Sequence, residues 1–388
     1  MEEKMKKLAV FVLAAVLCLS MAAVCFADEI VIGGINDLTG NRSVTGNAIN
    51  NGAILAFEEI NAAGGINGDM IKFVSYDNKN DTQETINAYT RLVDVDNAVA
   101  VLSTDASSIF MALIEISTEK GVVVAGMPSD PRAVMDTEGT GEVYPYTFLI
   151  SQCNAPQQAE IMAQYLAQNT DLTKAAILMD QSNAYAVANV NGFVKSWEGL
   201  GKEITITQTF NGTDQDYSTQ LSKIKNSGAE FIYCPNATDK LVIMVQQADM
   251  LGLDLAYAGA MDMNDPFLSL LDDPTIMKKA YFQSAAYMSD PRLDTFKANY
   301  LARFGEEVTI KAINGYDTAY VLAEAIKNAG APYDHDAIKT ALENISGLSV
   351  LCSDNYVEDA ATHSPLGLGM AIYEITDGVK EYKGFLFP

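Results

Sequence analysis

Short apolar runs alternate with longer amphipathic segments along most of this chain, and that alternation restricts the fold more than any other feature. Residues 29–35 read as a strand, and residues 46–61 read as a helix with Ile49, Ala53, Ala56, Phe57 and Ile60 on one face. Gly64-Gly65 ends that helix, because glycine enters the left-handed cap without a Cβ clash. A strand over 71–76 follows, and Asp81 caps a helix that turns Ile86, Tyr89, Leu92 and Val93 inward. A strand over 99–102, a helix over 107–119 and a strand over 122–125 complete the first run. An irregular stretch, 136–146, then interrupts. The rhythm restarts with helices over 156–168, 185–199, 217–226 and 239–251, interleaved with strands over 175–179, 203–210, 231–234 and 255–259. Strict alternation implies parallel sheets covered by helices and joined by right-handed crossovers. Two separated runs imply two α/β lobes. The remaining elements (281–288, 293–304, 316–328 and 371–375) are too few to bury a core of their own, so they are expected to complete these lobes.

The first residues indicate a compartment. Lys4, Lys6 and Lys7 precede an unbroken apolar run over 8–19, and small residues at Cys25 and Ala27 fit cleavage before Asp28. The run is shorter than the ~20 residues a membrane span needs. A lipid-anchored start requires a small residue before the cysteine, whereas Cys25 follows Val24 and Cys18 follows Leu17. A signal peptide over 1–27 and release into the periplasm or extracytoplasmic space are therefore expected. Cleavage removes three of 25 basic and two of 50 acidic residues, leaving a formal charge of −26. Such a surface repels phosphate backbones and anionic lipid, which argues against nucleic-acid binding. Cys153, Cys234 and Cys352 remain after cleavage, an odd and widely spaced set read as buried thiols rather than a disulfide framework. With only His335 and His363 as histidines and no CxxC pair, no metal site is expected.

Several short pieces carry a resemblance when taken in order. The densest is Ile60-Asn61-Ala62-Ala63-Gly64-Gly65-Ile66-Asn67-Gly68, followed by Tyr76-Asp77-Asn78 and Leu92-Val93. Asp216-Tyr217-Ser218, Leu251-Gly252-Leu253 and Asn314-Gly315-Tyr316-Asp317-Thr318 continue the series. Together they resemble the periplasmic branched-chain amino-acid-binding proteins of ABC importers, the Leu/Ile/Val-binding family of type I periplasmic binding proteins. The likeness runs from residue 29 to about residue 347. The resemblance implies an α/β fold of two doubly wound parallel-sheet lobes joined by three hinge crossings, a Venus flytrap. The crossings should lie near 149–153, 282–285 and 350–353. One lobe would then comprise 28–150 and 284–350, and the other 151–283 and 351–388. It further implies a small ligand in the interlobe cleft, outside the carboxyl ends of the strands. Closure would be read by a membrane permease and ATPase. A monomer without cofactor is expected.

Four places match the family's binding positions. Ser107 and Ser108 follow a strand and open a helix, where free N–H groups and a hydroxyl suit a carboxylate; simple helix capping is the alternative. Ser103 or Thr104 could assist. Met127-Pro128-Ser129-Asp130-Pro131 resembles a turn in which Pro128 supplies a carbonyl and Ser129 a hydroxyl, although it also reads as a plain proline-rich turn. Asp105 and Asp130 sit awkwardly beside a carboxylate site; either they point away, or Arg132 partners one of them. Tyr185 matches a cleft tyrosine, and Asp262 falls near the family's acidic ammonium ligand, with a solvated loop acid as the alternative. Thr45 stands where the family often has an aromatic residue, and Ala237-Thr238 where a second tyrosine is expected. These departures enlarge or re-polarise the side-chain pocket, so the ligand need not be leucine, isoleucine or valine.

An enzyme is not expected. The chain has no GxSxG elbow, P-loop, GxGxxG fingerprint after a strand, or HExxH. The segment from Asp77 mimics a calcium loop but has Thr82 and Ala88 where glycine and glutamate belong. The function implied is capture of an α-amino acid, apolar or moderately polar, for an ABC importer. The alternatives are a chemosensory or regulatory binding protein of the same fold, or a binder of a non-amino-acid carboxylate. Edman sequencing of exported protein should begin at Asp28; a start at Met1, or lipid on Cys25, would exclude the proposed cleavage.

Overall fold

The computed structural model describes residues 29–388; the leader and the cleavage position before Asp28 lie outside the described residues. The first sheet is wholly parallel. Strand β1 (Glu29–Asn36) is flanked by β2 (Met70–Asp77) and β3 (Ala100–Ser103), and β4 (Val124–Gly126) and β5 (Thr147–Leu149) extend it in the order β2-β1-β3-β4-β5. Strands β3, β4 and β5 are buried along their whole length, as expected of short parallel strands covered on both faces. Helix α1 (Ser43–Ala62) leads from β1, and α2 (Thr82–Asp94) starts where the Asp81 carboxylate accepts the Glu84 N–H at 2.9 Å. The helix expected over 107–119 divides into α3 (Ser107–Phe110), a 3-10 turn over Met111–Leu113, and α4 (Ile114–Lys120). A 3-10 turn stacks residues three apart, and here it brings Phe110 and Leu113 together in one buried cluster.

Helix α5 (Ala155–Asn169) opens the second run with a reciprocal cap between Asn154 and Gln157. Strands β6 (Lys174–Asp180), β7 (Glu203–Phe210), β8 (Phe231–Tyr233), β9 (Ala256–Ala258) and β10 (Lys279–Ser284) are parallel. They alternate with α6 (Ala184–Gly199), α7 (Ser218–Lys225) and α8 (Thr238–Met250). The chain then returns to the first sheet through α9 (Asp294–Phe304) and α10 (Ile310–Ala329), both packed on α1, and α11 (His335–Glu343).

The tail holds more strands than its pattern suggests. An antiparallel sheet of β11 (Ser346–Val350), β12 (Ser353–Asp359) and β13 (Ser364–Leu366) precedes β14 (Met370–Thr376) and β15 (Val379–Leu386). Strand β14 adds antiparallel to β10 and β15 antiparallel to β14, so the second sheet is wholly parallel only through its first five strands. Residues 351–352, within the third expected crossing, form the bend of the β11–β12 hairpin, and the chain joins the second sheet after Leu366.

Helix α10 begins at Ile310, six residues before the position expected from apolar periodicity, because buried polar residues interrupt that pattern. Each has a structural partner. Asn314 donates to the Ser151 carbonyl at 2.9 Å, and Asp317 accepts the backbone N–H groups of Leu351 and Cys352 at 2.8 and 2.9 Å. One helix thereby holds both Ser151 and the hairpin bend at 351–352. Of the three thiols, Cys153 and Cys234 are buried, whereas Cys352 is half-buried, a correction to the expectation for it; none is in a disulfide. His363 stacks on Phe148, with ring centroids 3.9 Å apart. Among the described residues no cluster of three or more His, Cys, Asp or Glu could hold a metal, and no helix is long and apolar enough to cross a membrane.

Helices α1 and α10 approach at backbone distance through two glycines. A Cβ built on Gly52 would lie 2.1 Å from the Ala312 carbonyl oxygen, and one on Gly315 would lie 2.1 Å from that of Ile49. Backbone cannot step aside as a side chain can. Gly315→Ala is therefore expected to destabilise the protein by about 1–3 kcal/mol in urea unfolding. Gly199→Ala, where a Cβ meets nothing within 4 Å, should stay within about 0.5 kcal/mol of the parent. Equal midpoints for the two variants would exclude the close contact.

Candidate ligand cleft

The expected binding residues gather where the two main sheets meet. Ser107 and Ser108 open α3, and α3 packs against α6, whose second residue is Tyr185. Ser107 is buried, and its hydroxyl oxygen accepts the Asp130 N–H at 3.2 Å; Ser108 is exposed. Neither caps the helix, because Ala106 occupies that position. Ser103 is fully buried with its hydroxyl unpartnered, and Thr104 accepts the Ala106 N–H at 3.1 Å.

Pro128 and Ser129 are buried in the turn after β4. The Ser129 hydroxyl oxygen accepts from the Gln152 and Gln158 side-chain amides at 2.8 and 3.4 Å, so its own O–H stays available to donate. Arg132 pairs with Asp130, its Nη2 2.7 Å from the carboxylate. That arrangement answers the doubt over Asp130.

Gln158, unremarked in the sequence, joins the two sides. Its amide nitrogen also donates to the Cys153 carbonyl at 2.7 Å, and its backbone carbonyl accepts from Gln283 at 2.8 Å. The Gln158 side-chain oxygen accepts from the Tyr185 hydroxyl at 3.3 Å and from Asn189 at 3.4 Å. The Tyr185 hydroxyl in turn accepts the Met261 N–H at 3.4 Å, one residue before Asp262. A hydrogen-bonded line therefore runs from Ser129 through Gln158 and Tyr185 to the turn that carries Asp262.

That turn is a single 3-10 helix, Met261–Met263, following β9. Asn264 holds it by donating to the carbonyls of Met261 and Gln283, at 2.7 and 2.9 Å. Thr238 donates its hydroxyl to the Asp262 carbonyl at 2.8 Å, and Ala237 precedes α8 with no side-chain cap. The backbone is thus pinned while Oδ2 of the Asp262 carboxylate is buried without a hydrogen-bond partner. Burial pushes this carboxyl up to about 6; Lys311, Arg42 and the Tyr185 hydroxyl oppose the rise and Asp105 adds to it. Burial, together with the Asp262 charge, also holds the Tyr185 phenol well above its ordinary value.

A charged cluster beside the α3 start left no sign in the sequence pattern. Arg42, the residue before α1, places Nη2 2.9 and 3.1 Å from the two Asp105 oxygens, and Lys311 in the first turn of α10 reaches Asp105 at 2.7 Å. Burial alone would raise the Asp105 carboxyl, but the two cations outweigh it and hold it well below the usual carboxylate range. Arg132, expected to partner one of Asp105 and Asp130, takes Asp130, and Asp105 has two other cations. Thr45 lies half-buried one turn along α1 from Arg42.

Two α/β units meeting over a gap of this make-up are the architecture of a two-lobed solute-binding protein. The chain belongs to the family described as periplasmic binding protein, whose pattern matches residues 29–380. A leucine-, isoleucine-, valine-, threonine- and alanine-binding protein of Pseudomonas aeruginosa is 24% identical over 308 residues, covering 78% of this chain and 79% of the relative. The branched-chain amino acid transporter substrate-binding protein LivJ of Streptococcus pneumoniae, solved with isoleucine, superposes with a TM-score of 0.79 at 26% identity, over 93% of this chain and 100% of that one. A solute-binding protein of an ABC transporter from R. palustris, solved with benzoate, superposes with a TM-score of 0.78 at 18% identity, over 93% of this chain and 97% of the other. The fold is that of the type I periplasmic binding proteins. Members bind small molecules rather than transform them, so the chain is a binding protein and not an enzyme.

Asp262 and Asp317 are both raised to about 6 by burial, the latter against two backbone donors. Between about pH 4 and 6 the folded chain then holds more protons than the unfolded one, so their contribution to stability is present at low pH and lost as pH rises through 6. Carbon-13 NMR of labelled aspartate in ligand-free protein should show two carboxyls titrating near pH 6, with Asp262→Asn removing one. Two unchanged titrations in that variant would contradict the burial of Asp262.

Proposed function

We propose that this chain captures an α-amino acid in the interlobe cleft and delivers it to the permease and ATPase of an ABC importer. The observation that carries the reading is the orphan Asp262 oxygen, buried on a turn whose backbone is fully tied down. A buried carboxylate oxygen without a hydrogen-bond partner is costly, and a ligand ammonium would supply the missing donor next to it. The ligand carboxylate would take the Ser107-Ser108 helix start and the free O–H of Ser129, and the Pro128 carbonyl would share the ammonium. Thr45, Ala237 and Thr238 would border the side chain. The relatives named for leucine, isoleucine and valine support this ligand class.

The lobes in this reading comprise 28–150 with 284–350 and 151–283 with 351–388, the three-stranded sheet straddling the third boundary, and they close by hinge rotation in a monomer. The leader would be removed before Asp28, leaving the mature protein in the periplasm or extracytoplasmic space. The benzoate-bound neighbour favours a second reading, an aromatic or other carboxylate without an amine.

The pH dependence of affinity separates the two. An ammonium needs ionised Asp262, so with a carboxyl near 6 in the empty protein, affinity should fall about tenfold between pH 7.5 and 5. A carboxylate lacking an amine would instead bind tighter as Asp262 is neutralised. Calorimetry should also find Asp262→Ala weaker by ~2–5 kcal/mol, because the ligand charge is left unpaired. Ser129→Ala should cost on the order of 1 kcal/mol. Affinity that rises toward pH 5, or an unaffected Asp262→Ala variant, would reject the amino acid and favour the carboxylate.

A further inference from the structure

A compact charged trio stands near the candidate binding residues. Arg42, Asp105 and Lys311 come from three separate segments, and the single carboxylate between the two cations is nearly sealed, its side chain 5% exposed against 32% for Arg42 and 22% for Lys311. Asp105 engages Nη2 of Arg42 and one donor of Lys311. A guanidinium offers five N–H donors and an ammonium three, and among the described residues no protein acceptor takes the remaining Arg42 donors. The trio therefore keeps one surplus positive charge, which Asp37 and Asp262 partly answer, and several unused donors. The two cations form its more exposed side.

The position of that side follows from the elements. Arg42 stands one turn before Thr45 at the start of α1, and Lys311 is in the first turn of α10. The glycine contact between these two helices keeps both starts in place. Arg42 follows β1, and Asp105 lies between β3 and the α3 start at Ser107, so the trio stands at the carboxyl ends of the first sheet's strands, beside the candidate binding residues.

We infer that the Arg42–Asp105–Lys311 trio reads the ligand's side chain, and that the captured amino acid ends in a carboxylate or amide oxygen that accepts the donors Asp105 leaves free. This inference rests on the amino-acid reading of the same cleft. With the ammonium at Asp262 and the α-carboxylate at the α3 start, the side chain is the part left to meet the trio. A leucine end would strip water from a guanidinium and an ammonium without replacing its hydrogen bonds, which is unfavourable. An acceptor restores those bonds as charge-assisted ones. The sequence-based expectation of an apolar or moderately polar side chain shifts accordingly toward acidic and amide side chains.

Calorimetry on the mature chain at pH 7.5 against L-glutamate, L-glutamine, L-leucine and glutarate tests this. Glutamate or glutamine should bind at least about tenfold tighter than leucine, because the site's polar groups are otherwise left unpaired. Lys311→Met should weaken the preferred polar ligand at least about tenfold while changing leucine binding less than about threefold. Arg42→Gln, confirmed folded by circular dichroism, provides the same comparison should Lys311→Met fail to fold. Leucine binding as tightly as both polar ligands would overturn the inference and leave the amino-acid reading intact. So would equal weakening of all ligands by both variants, which would make the trio purely structural. Glutarate binding as tightly as glutamate would instead refute the amino-acid reading while supporting the acceptor wall. Binding of none of the four would overturn both.

Discussion

The backbone contact between α1 and α10 is the constraint on which the rest depends. Two helices can meet this closely only where neither carries a side chain, and Gly52 and Gly315 supply those gaps. Once the helices are fixed, their starts are fixed too. Arg42 and Lys311 then converge on Asp105, which is why a carboxylate this buried remains ionised. The same helix α10 ties down Ser151 and the Leu351-Cys352 bend through Asn314 and Asp317. Helix packing, the charged trio and the hairpin bend share one support.

On the other side the organising group is an amide. Gln158 uses both its side-chain nitrogen and its oxygen, and its backbone carbonyl as well, to connect Ser129, Cys153, Gln283, Tyr185 and Asn189. In a low-dielectric interior a network with its groups largely paired fixes geometry strongly. Asp262 stands at the end of that network as the exception. The turn that carries it is held by Thr238 and Asn264, so its unpaired Oδ2 sits in an environment prepared in advance. Pre-organisation of this kind reduces what a ligand must reorder on binding.

Much of the framework was legible because parallel strands and their covering helices have strong periodic signatures. Asp81 capped its helix as its position implied, and the helices over 155–169 and 238–250 end within a residue of their expected limits. Short or charged elements were not legible. Strand β5 has three residues, and β15 alternates lysine and glutamate with apolar residues at a sheet edge, which reads as surface loop. The start of α10 was obscured by Asn314, Asp317 and Thr318, polar residues that face inward because chain passages elsewhere need their hydrogen bonds.

The amino-acid sequence by itself determined the α/β alternation, the two runs, the acidic surface and the family, because these depend on local periodicity, composition and ordered short matches. It also pointed to Ser107, Ser129, Tyr185 and Asp262, which cluster about the gap between the sheets. Only the tertiary structure decided which charges pair. Asp105 is nearer in sequence to Arg132 than to Lys311, yet Arg132 turns to Asp130 and Lys311 arrives from a distant helix. Electrostatic partnership falls off with distance in space and is blind to separation along the chain. The charged trio therefore became visible only once the chain had folded back on itself.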